Sequence, residues 1–371
     1  MATVYLDHNA TTPVRPEAME AVLDAMREGG NPSSVHAAGR AARKRLEQAR
    51  RDVAALIGAD AARLIFTSGG TEANALALLG SGRPRILYSA IEHDSVRAVH
   101  PQAEAVPVTP AGIIDLDALD SMLAADSRPA ILSLMLANNE TGILQPVAEA
   151  REIAHRHGAL IQCDAIQAAG KLPVAVEALG VDLMSLSAHK IGGPPGVGAL
   201  YIRPGLDLAA IQRGGGQERR LRGGTENLPG IAGFGAAAQA AASEIGRMQA
   251  LAGFRDALEE GVMAATPQAV IVGRDMPRLP NTSCIALPGV KAENIVMALD
   301  LAGVAVSAGS ACSSGKVTAS HVLAAMGLPQ EVAGGAIRVS FGWTSTAADG
   351  EAFLAAWSQT ARRLRPMAVA S

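Results

Sequence analysis

Between residues 64 and 202 the chain repeats one pattern: a short apolar run, a turn of small or polar residues, then a stretch of helical spacing. The runs are Leu64–Thr67, Arg85–Ser89, 130–136, 159–163, 181–186 and Gly198–Ile202. Their shortness and aliphatic content favour buried strands over helices. Such alternation predicts an α/β fold with a mostly parallel sheet covered by helices on both faces. Sheets of this class bind ligands at the carboxyl ends of their strands. The polar residues at those ends are therefore the informative ones.

The flanks extend the pattern. Residues 4–6 read as a short strand, 16–27 and 37–57 as helices, 29–36 as a loop, and 146–157 as a helix within the alternation. The texture changes after the loop 214–227, GGGQERRLRGGTEN. An Ala-rich stretch with helical character runs over 231–265 and leads to a smaller α+β portion holding Ile285, 295–301 and 337–341. The division expected is a large domain over 14–243 and a small one built from 1–13 and 244–371. With 371 residues, 49% hydrophobic and 18% charged, the chain has material for about two domains with sizeable cores.

Several classes are disfavoured. A net charge of −3 gives no basic footprint for nucleic acid. No window holds 18 uninterrupted apolar residues, and the acid at Asp7 does not suit a signal peptide, so neither a membrane span nor secretion is expected. Cys163, Cys284 and Cys312 stand far apart, with neither a CxxC pair nor zinc spacing. A cytoplasmic location follows as the expectation.

Five strand ends carry the chemistry. In SLSAHKIGGPPGVG, 185–198, Lys190 ends an apolar run. It is either a lysine snorkelling to solvent or an amine kept for Schiff-base chemistry. In TSGGTEAN, 67–74, Gly69, Gly70 and Thr71 open a helix, either as a capped turn or as a phosphate cradle at the positive helix end. His93 in IEHDSV is either structural or lies flat over a planar ring. Asn138 and Asn139 in LANNETG either make an Asx turn or hydrogen-bond a phenolate or carboxylate. Asp164 in QCDAIQAAG, with Gln167 after it, is either an N-cap or the partner of a protonated pyridine nitrogen. Asp164 precedes Lys190 by about one strand–helix–strand unit, so the two would share neighbouring strand ends.

These words together carry a family resemblance. YLDHNATT, GNPSSVH, TSGGTEAN, EHDSV, NNETG, CDAIQAAGK, SAHKIGGPPGVGALY, RGGTEN, SAGSACSSG and IRVSFG run in order from residue 5 to residue 342. The sequence resembles the pyridoxal-phosphate-dependent cysteine desulfurases of the NifS/IscS type, within the class V aminotransferases of PLP fold type I. The resemblance implies that Lys190 carries pyridoxal 5'-phosphate as a Schiff base, that Asp164 pairs with the ring nitrogen and that His93 stacks on the ring. Gln167 and Asn139 would hold the phenolic oxygen. Gly70, Thr71, Ser187 and His189 would bind the phosphate, joined by Thr225 from the second subunit of a homodimer. Arg338 and Asn139 would bind the carboxylate of free L-cysteine. Cys312 would attack the substrate sulfur and carry it as a persulfide, with L-alanine as the other product. The sulfur would pass to an iron–sulfur scaffold or another sulfur-acceptor protein. No metal is expected in the isolated enzyme; Cys312 could lend a cluster ligand in a partner complex.

The resemblance has departures. His8 stands where Asn or Tyr is commoner, a Pro pair follows Lys190, and the tail after the last helix is shorter than in members that grip a scaffold. Other readings compete. A selenocysteine lyase or small-substrate aminotransferase would use Lys190, Asp164 and Arg338 equally well, although transamination has no need of Cys312. A sulfur carrier without enzymatic activity would leave the Asp164–Lys190 pair unexplained. Flanking Gly309, Ser310, Ser313, Ser314 and Gly315 give Cys312 a loop composition, whereas Cys163 and Cys284 sit in apolar runs and read as core.

Overall fold

A computed structural model describes residues 4–309 and 320–364. Seven strands form its larger sheet: β1 (Leu64–Thr67), β2 (Arg85–Ser89), β3 (Glu104–Val106), β4 (Ala130–Met135), β5 (Leu160–Asp164), β6 (Leu183–Ser187) and β7 (Gly198–Ile202). Their order is β1-β7-β6-β5-β4-β2-β3. All run one way except β7, which is antiparallel to both neighbours. The fold is α/β with a mixed, mostly parallel sheet.

Alternate residues of a strand face opposite sides of a sheet. Here both sides are buried, which is why the runs read as almost continuously apolar. Ile65, Ile86, Ile131, Leu160 and Leu200 pack on one side against Ala73, Leu76 and Ala77 of the helix Gly70–Gly80. Phe66, Leu87, Leu132, Ile161 and Met184 pack on the other against Leu46 and Val53 of Ala37–Leu56 and Phe234 of Leu228–Ser243. Each fully buried Leu or Ile contributes on the order of 1.5–3 kcal/mol.

Two features depart from the sequence reading. The edge strand β3 was not expected, because only Val106 of its three residues is buried and no apolar run marks it. The single helix expected over 231–265 is two, Leu228–Ser243 and Ile245–Ala265, broken at Glu244 (φ −102°, ψ 11°). The Glu244 carboxylate is held 2.8 Å from the buried guanidinium of Arg15. That partner lies far off in sequence, and Gly246, two residues beyond the break, is the one local signal.

A second sheet contains β8 (Val270–Val272), β9 (Thr282–Ala286), β10 (Ser307–Ala308) and β11 (Ala336–Ser340), in the order β10-β11-β9-β8 and antiparallel throughout. Ile285, Ile337 and Val339 pack there with Val262, Ile295, Leu299, Phe353 and Trp357 from three helices. The amino-terminal strand Val4–Tyr5 pairs in parallel with Val304–Ala305. From there the chain crosses between the sheets. Asp7 bridges to Ser340, Thr12 N donates to His189 O at 3.1 Å, and Arg15 N donates to Gly192 O at 2.8 Å. No described helix is long and apolar enough to cross a membrane.

Candidate active site

The strand register aligns the ends that matter. Asp164, the last residue of β5, sits opposite Met135 of β4 and Ser185 of β6. Ser187, the last of β6, sits opposite Gly198, which in turn faces Thr67 of β1. A single 3₁₀ turn, Ala188–Lys190, then delivers His189 and Lys190. Lys190 donates to two backbone carbonyls, Asn9 O at 2.6 Å and Ala10 O at 2.7 Å. Carbonyls stabilise an ammonium less than a carboxylate would. Burial, and then the nearby Arg338 charge, lower its pKa from 10.5 to about 8.

Asp164 is buried. Its Oδ2 accepts from Asn74 Nδ2 and its Oδ1 from the Ile166 amide, both at 2.9 Å. Burial raises its pKa, while those two hydrogen bonds and the His93 and Lys190 charges pull it back. Asn74 is oriented in turn by Gln162, whose Nε2 donates to Asn74 Oδ1 at 3.0 Å. Close by, Glu92 is fully buried. Its Oε1 accepts from the Met135 amide at 2.7 Å, and its Oε2 has no partner. Burial and the Asp164 charge hold this carboxyl well above the usual range. Of the two acids, Asp164 is the one with hydrogen-bond donors on both oxygens, which favour its ionised form.

His93 caps the short helix Asp94–Arg97, its Nδ1 accepting from the Ser95 amide at 3.1 Å. The rest of its ring is exposed. Asn138 makes the Asx turn: its Oδ1 accepts from the Glu140 and Thr141 amides at 2.9 Å. Asn139 meets the site through its carbonyl, which accepts from Arg338 Nη1 at 3.1 Å. Gln167 donates to Asn9 O at 2.9 Å. His189 contacts Thr11 Oγ1 at 3.2 Å, and burial lowers its pKa to about 4, so the ring is neutral.

Gly70 begins a helix whose cap residue, Gly69, provides no side-chain hydrogen bond. The close packing there depends on glycine. A Cβ on Gly70 would collide with Ile166 Cδ1, and a Cβ on Gly198 would stand 2.5 Å from the Gly69 carbonyl carbon. Thr71 in the first turn is exposed. Arg338, on β11, reaches in from the second sheet. It is buried and pairs with Asp7 at 2.7 Å, and its Nε has no partner.

Lys190, Asp164, Gln167, His189 and Arg338 are thus linked by hydrogen bonds or by charge. Among the described residues no hydrogen bond ties the exposed Thr225 to them. Cys312 lies outside the described residues. Four groups here went unnoticed in the sequence. Asn9 links both sheets, Asn74 holds Asp164, Asp7 pairs with Arg338, and Lys171 is buried beside Asn9 and Gln167. The polar word DHNATT after a strand was the available signal for Asp7 and Asn9.

Comparisons with known proteins show what the chain as a whole is similar to. The Aminotransferase class-V profile matches residues 4–353. A cysteine desulfurase of Cereibacter sphaeroides is 46% identical over 364 residues, covering 94% of this chain and 93% of that protein. One from Sinorhizobium fredii is 44% identical, covering 92% of each. A solved NifS-like protein from Rickettsia africae superposes with a TM-score of 0.90 at 34% identity, over 97% of this chain and 99% of that one.

Proposed function

The chain belongs to the class-V aminotransferase family, and we propose that within it the protein is a cysteine desulfurase, a pyridoxal-phosphate enzyme that takes sulfur from L-cysteine and leaves L-alanine. The observation that carries the reading is Lys190: a strand-end amine with its pKa lowered to about 8, in the field of a guanidinium and of the buried Asp164.

The residues fit the cofactor. The helix start at Gly70, preceded by Gly69, suits a phosphate. Asp164 suits a ring N–H, and the unpartnered Nε of Arg338 suits a carboxylate. Pyridoxal phosphate supplies an aldehyde for an amine and a ring that stabilises negative charge at the substrate α-carbon.

The chain's own groups do the rest. Asp164, which Asn74 and the Ile166 amide pull toward the ionised form, would pair with the ring N–H. His93 would cover one face of the ring, and Gln167 and Asn139 would hold the phenolic oxygen. Gly70, Thr71, Ser187 and neutral His189 would donate to the phosphate, with Thr225 of a second copy in a homodimer. Arg338 exchanges the Asp7 carboxylate for that of the substrate, like for like. Lys190, poised near neutrality, takes and returns protons at the α-carbon. Cys312 as thiolate would form the S–S bond while the carbon–sulfur bond of cysteine breaks; the electron pair stays on carbon, where protonation completes L-alanine, and the sulfur stays on the protein as a persulfide. The other two thiols suit that task poorly. Cys163 and Cys284 are buried, with burial raising the first well above its usual pKa and the second to about 12.

The core clusters support a cofactor-binding unit over 14–243 and a smaller one from 1–13 and 244–371 that contributes Arg338 and Cys312. A reduced, cytoplasmic setting suits the free thiols, and the outlet for sulfur is iron–sulfur cluster assembly or another acceptor protein. The test is sulfide and alanine release from L-cysteine with a thiol reductant, for wild type and Cys312→Ala, alongside the visible spectrum. Wild type should release both, and the variant should keep its colour while losing sulfide release by more than about a hundredfold. A variant that still releases sulfide, or a wild type that only transaminates, would leave a different enzyme of the same fold.

A further inference from the structure

Lys171 is 3% exposed, and no carboxylate pairs with it among the described residues. Burying an ammonium without a counter-ion is costly, so the position calls for a reason. Its amine makes two hydrogen bonds, to Asn9 Oδ1 and to Gln167 Oε1, each at 2.7 Å. The two amides differ in what else holds them. Asn9 is fixed from both ends: Oδ1 also accepts from Asn281 at 3.2 Å, and Nδ2 donates to Thr282 Oγ1 at 2.9 Å and Asn139 O at 3.2 Å. Gln167 has Lys171 alone on its oxygen. Its Nε2 donates at 2.9 Å to Asn9 O, the same carbonyl that Lys190 Nζ reaches at 2.6 Å. An amide nitrogen carries two protons. Nε2 has no second acceptor among the described residues.

We propose that Lys171 is a positioning residue: by donating to Gln167 Oε1 it fixes which way the Gln167 amide faces, so that an Nε2 proton beside Lys190 is available to an anionic oxygen of the bound cofactor. Without that donor Gln167 Oε1 is buried and unpaired, and only the Nε2–Asn9 O bond is left to hold the amide against turning over. A turned amide presents a carbonyl, which repels that oxygen. The inference rests on the pyridoxal-phosphate reading.

Charge alone must be separated from orientation. Lys171 interacts through space with Lys190 and Arg338, and with His8 and His189, while Asp7 and Asp164 act on Lys190. The experiment follows the visible band of the cofactor-loaded protein against pH. Wild type, Lys171→Met, Lys171→Gln, Gln167→Leu and the Lys171→Met/Gln167→Leu double variant are compared. Loss of the Gln167 donor leaves the cofactor oxygen a stronger holder of the proton on its linkage to Lys190. Lys171→Met should therefore raise the titration midpoint by about one pH unit, tenfold in proton affinity. In the Gln167→Leu background the same change should have less than about a third of that effect. Lys171→Gln keeps an N–H for Gln167 Oε1 and loses the charge, and should stay near wild type. Equal shifts in both backgrounds, a Lys171→Gln shift as large as that of Lys171→Met, or no shift at all would each overturn the proposal. If Lys171→Met does not fold, the Lys171→Gln midpoint decides. A wild-type protein that stays colourless with pyridoxal phosphate overturns the functional reading, and this inference with it.

Discussion

Glu140 shows how one side chain can make stability depend on pH. It is 3% exposed, and its Oε2 accepts from Ser320 Oγ at 2.6 Å. Burial raises its pKa from 4.5 to about 7, against the smaller pull of Ser320 and Arg338. The native state thus holds a proton that the unfolded chain releases. Its contribution is full below about pH 4.5 and is lost as pH rises through about 7. The swing is at most about 3.5 kcal/mol, at roughly 1.4 kcal/mol per pKa unit. Glu140→Gln keeps an acceptor for Ser320 and cannot ionise. Urea unfolding at about pH 5 and about pH 8 should show the variant gaining on wild type at the higher pH by about 1–3 kcal/mol. An unchanged difference between the two proteins would mean that Glu140 does not titrate in that window. Neighbouring residues show how far the sequence alone could be read. The Asx turn at Asn138 was one of two open readings there, and proximity along the chain suffices to make it. The elevated pKa of Glu140 comes from burial under distant segments, with Ser320 and Arg338 pulling it back, and no local pattern reveals either.

At the scale of elements, β7 decides the shape of the cradle. It is the one strand of the larger sheet that runs against the others, and it brings Gly198 between Thr67 and Ser187. A Cβ there would meet Gly69 backbone at 2.5–2.8 Å, with no flexible side chain to yield. Gly198→Ala should therefore shift the helix start, cost about 1–3 kcal/mol in unfolding free energy, and weaken pyridoxal-phosphate binding by about tenfold or more. Fluorescence titration of the apoprotein measures the second effect. A Kd within about twofold of wild type would place the phosphate elsewhere. Six of the seven strands were legible because each buries both faces and so writes an apolar run. The edge strand β3 buries one residue and leaves no such trace.

For the molecule as a whole, residues 7–15 act as a joint between the two sheets, and Asn9 is its centre. Its side chain reaches Thr282 on β9, Asn281 and Lys171, and its carbonyl takes both Lys190 and Gln167. Asn9→Ala strips Lys171 of one of its two acceptors and leaves buried polar groups unpaired. Urea unfolding should show a loss of about 2–4 kcal/mol, together with weaker retention of the cofactor. A change below about 0.5 kcal/mol would show the joint to be incidental. What the sequence determined by itself was whatever local spacing encodes: the apolar runs, their alternation with helices, and the polar residues that end each strand. Those fix an α/β sheet and put Lys190 and Asp164 at its working edge. The tertiary structure alone decided which distant groups meet there. Arg338 pairs with Asp7 across 331 residues, Glu244 at the break between two helices pairs with Arg15, and Lys171 lies beside Gln167 and Asn9. The reason is physical. Hydrophobic burial is repeated along a segment and leaves a period in the sequence, whereas a buried hydrogen bond or ion pair joins single residues from segments that only the folded chain brings together.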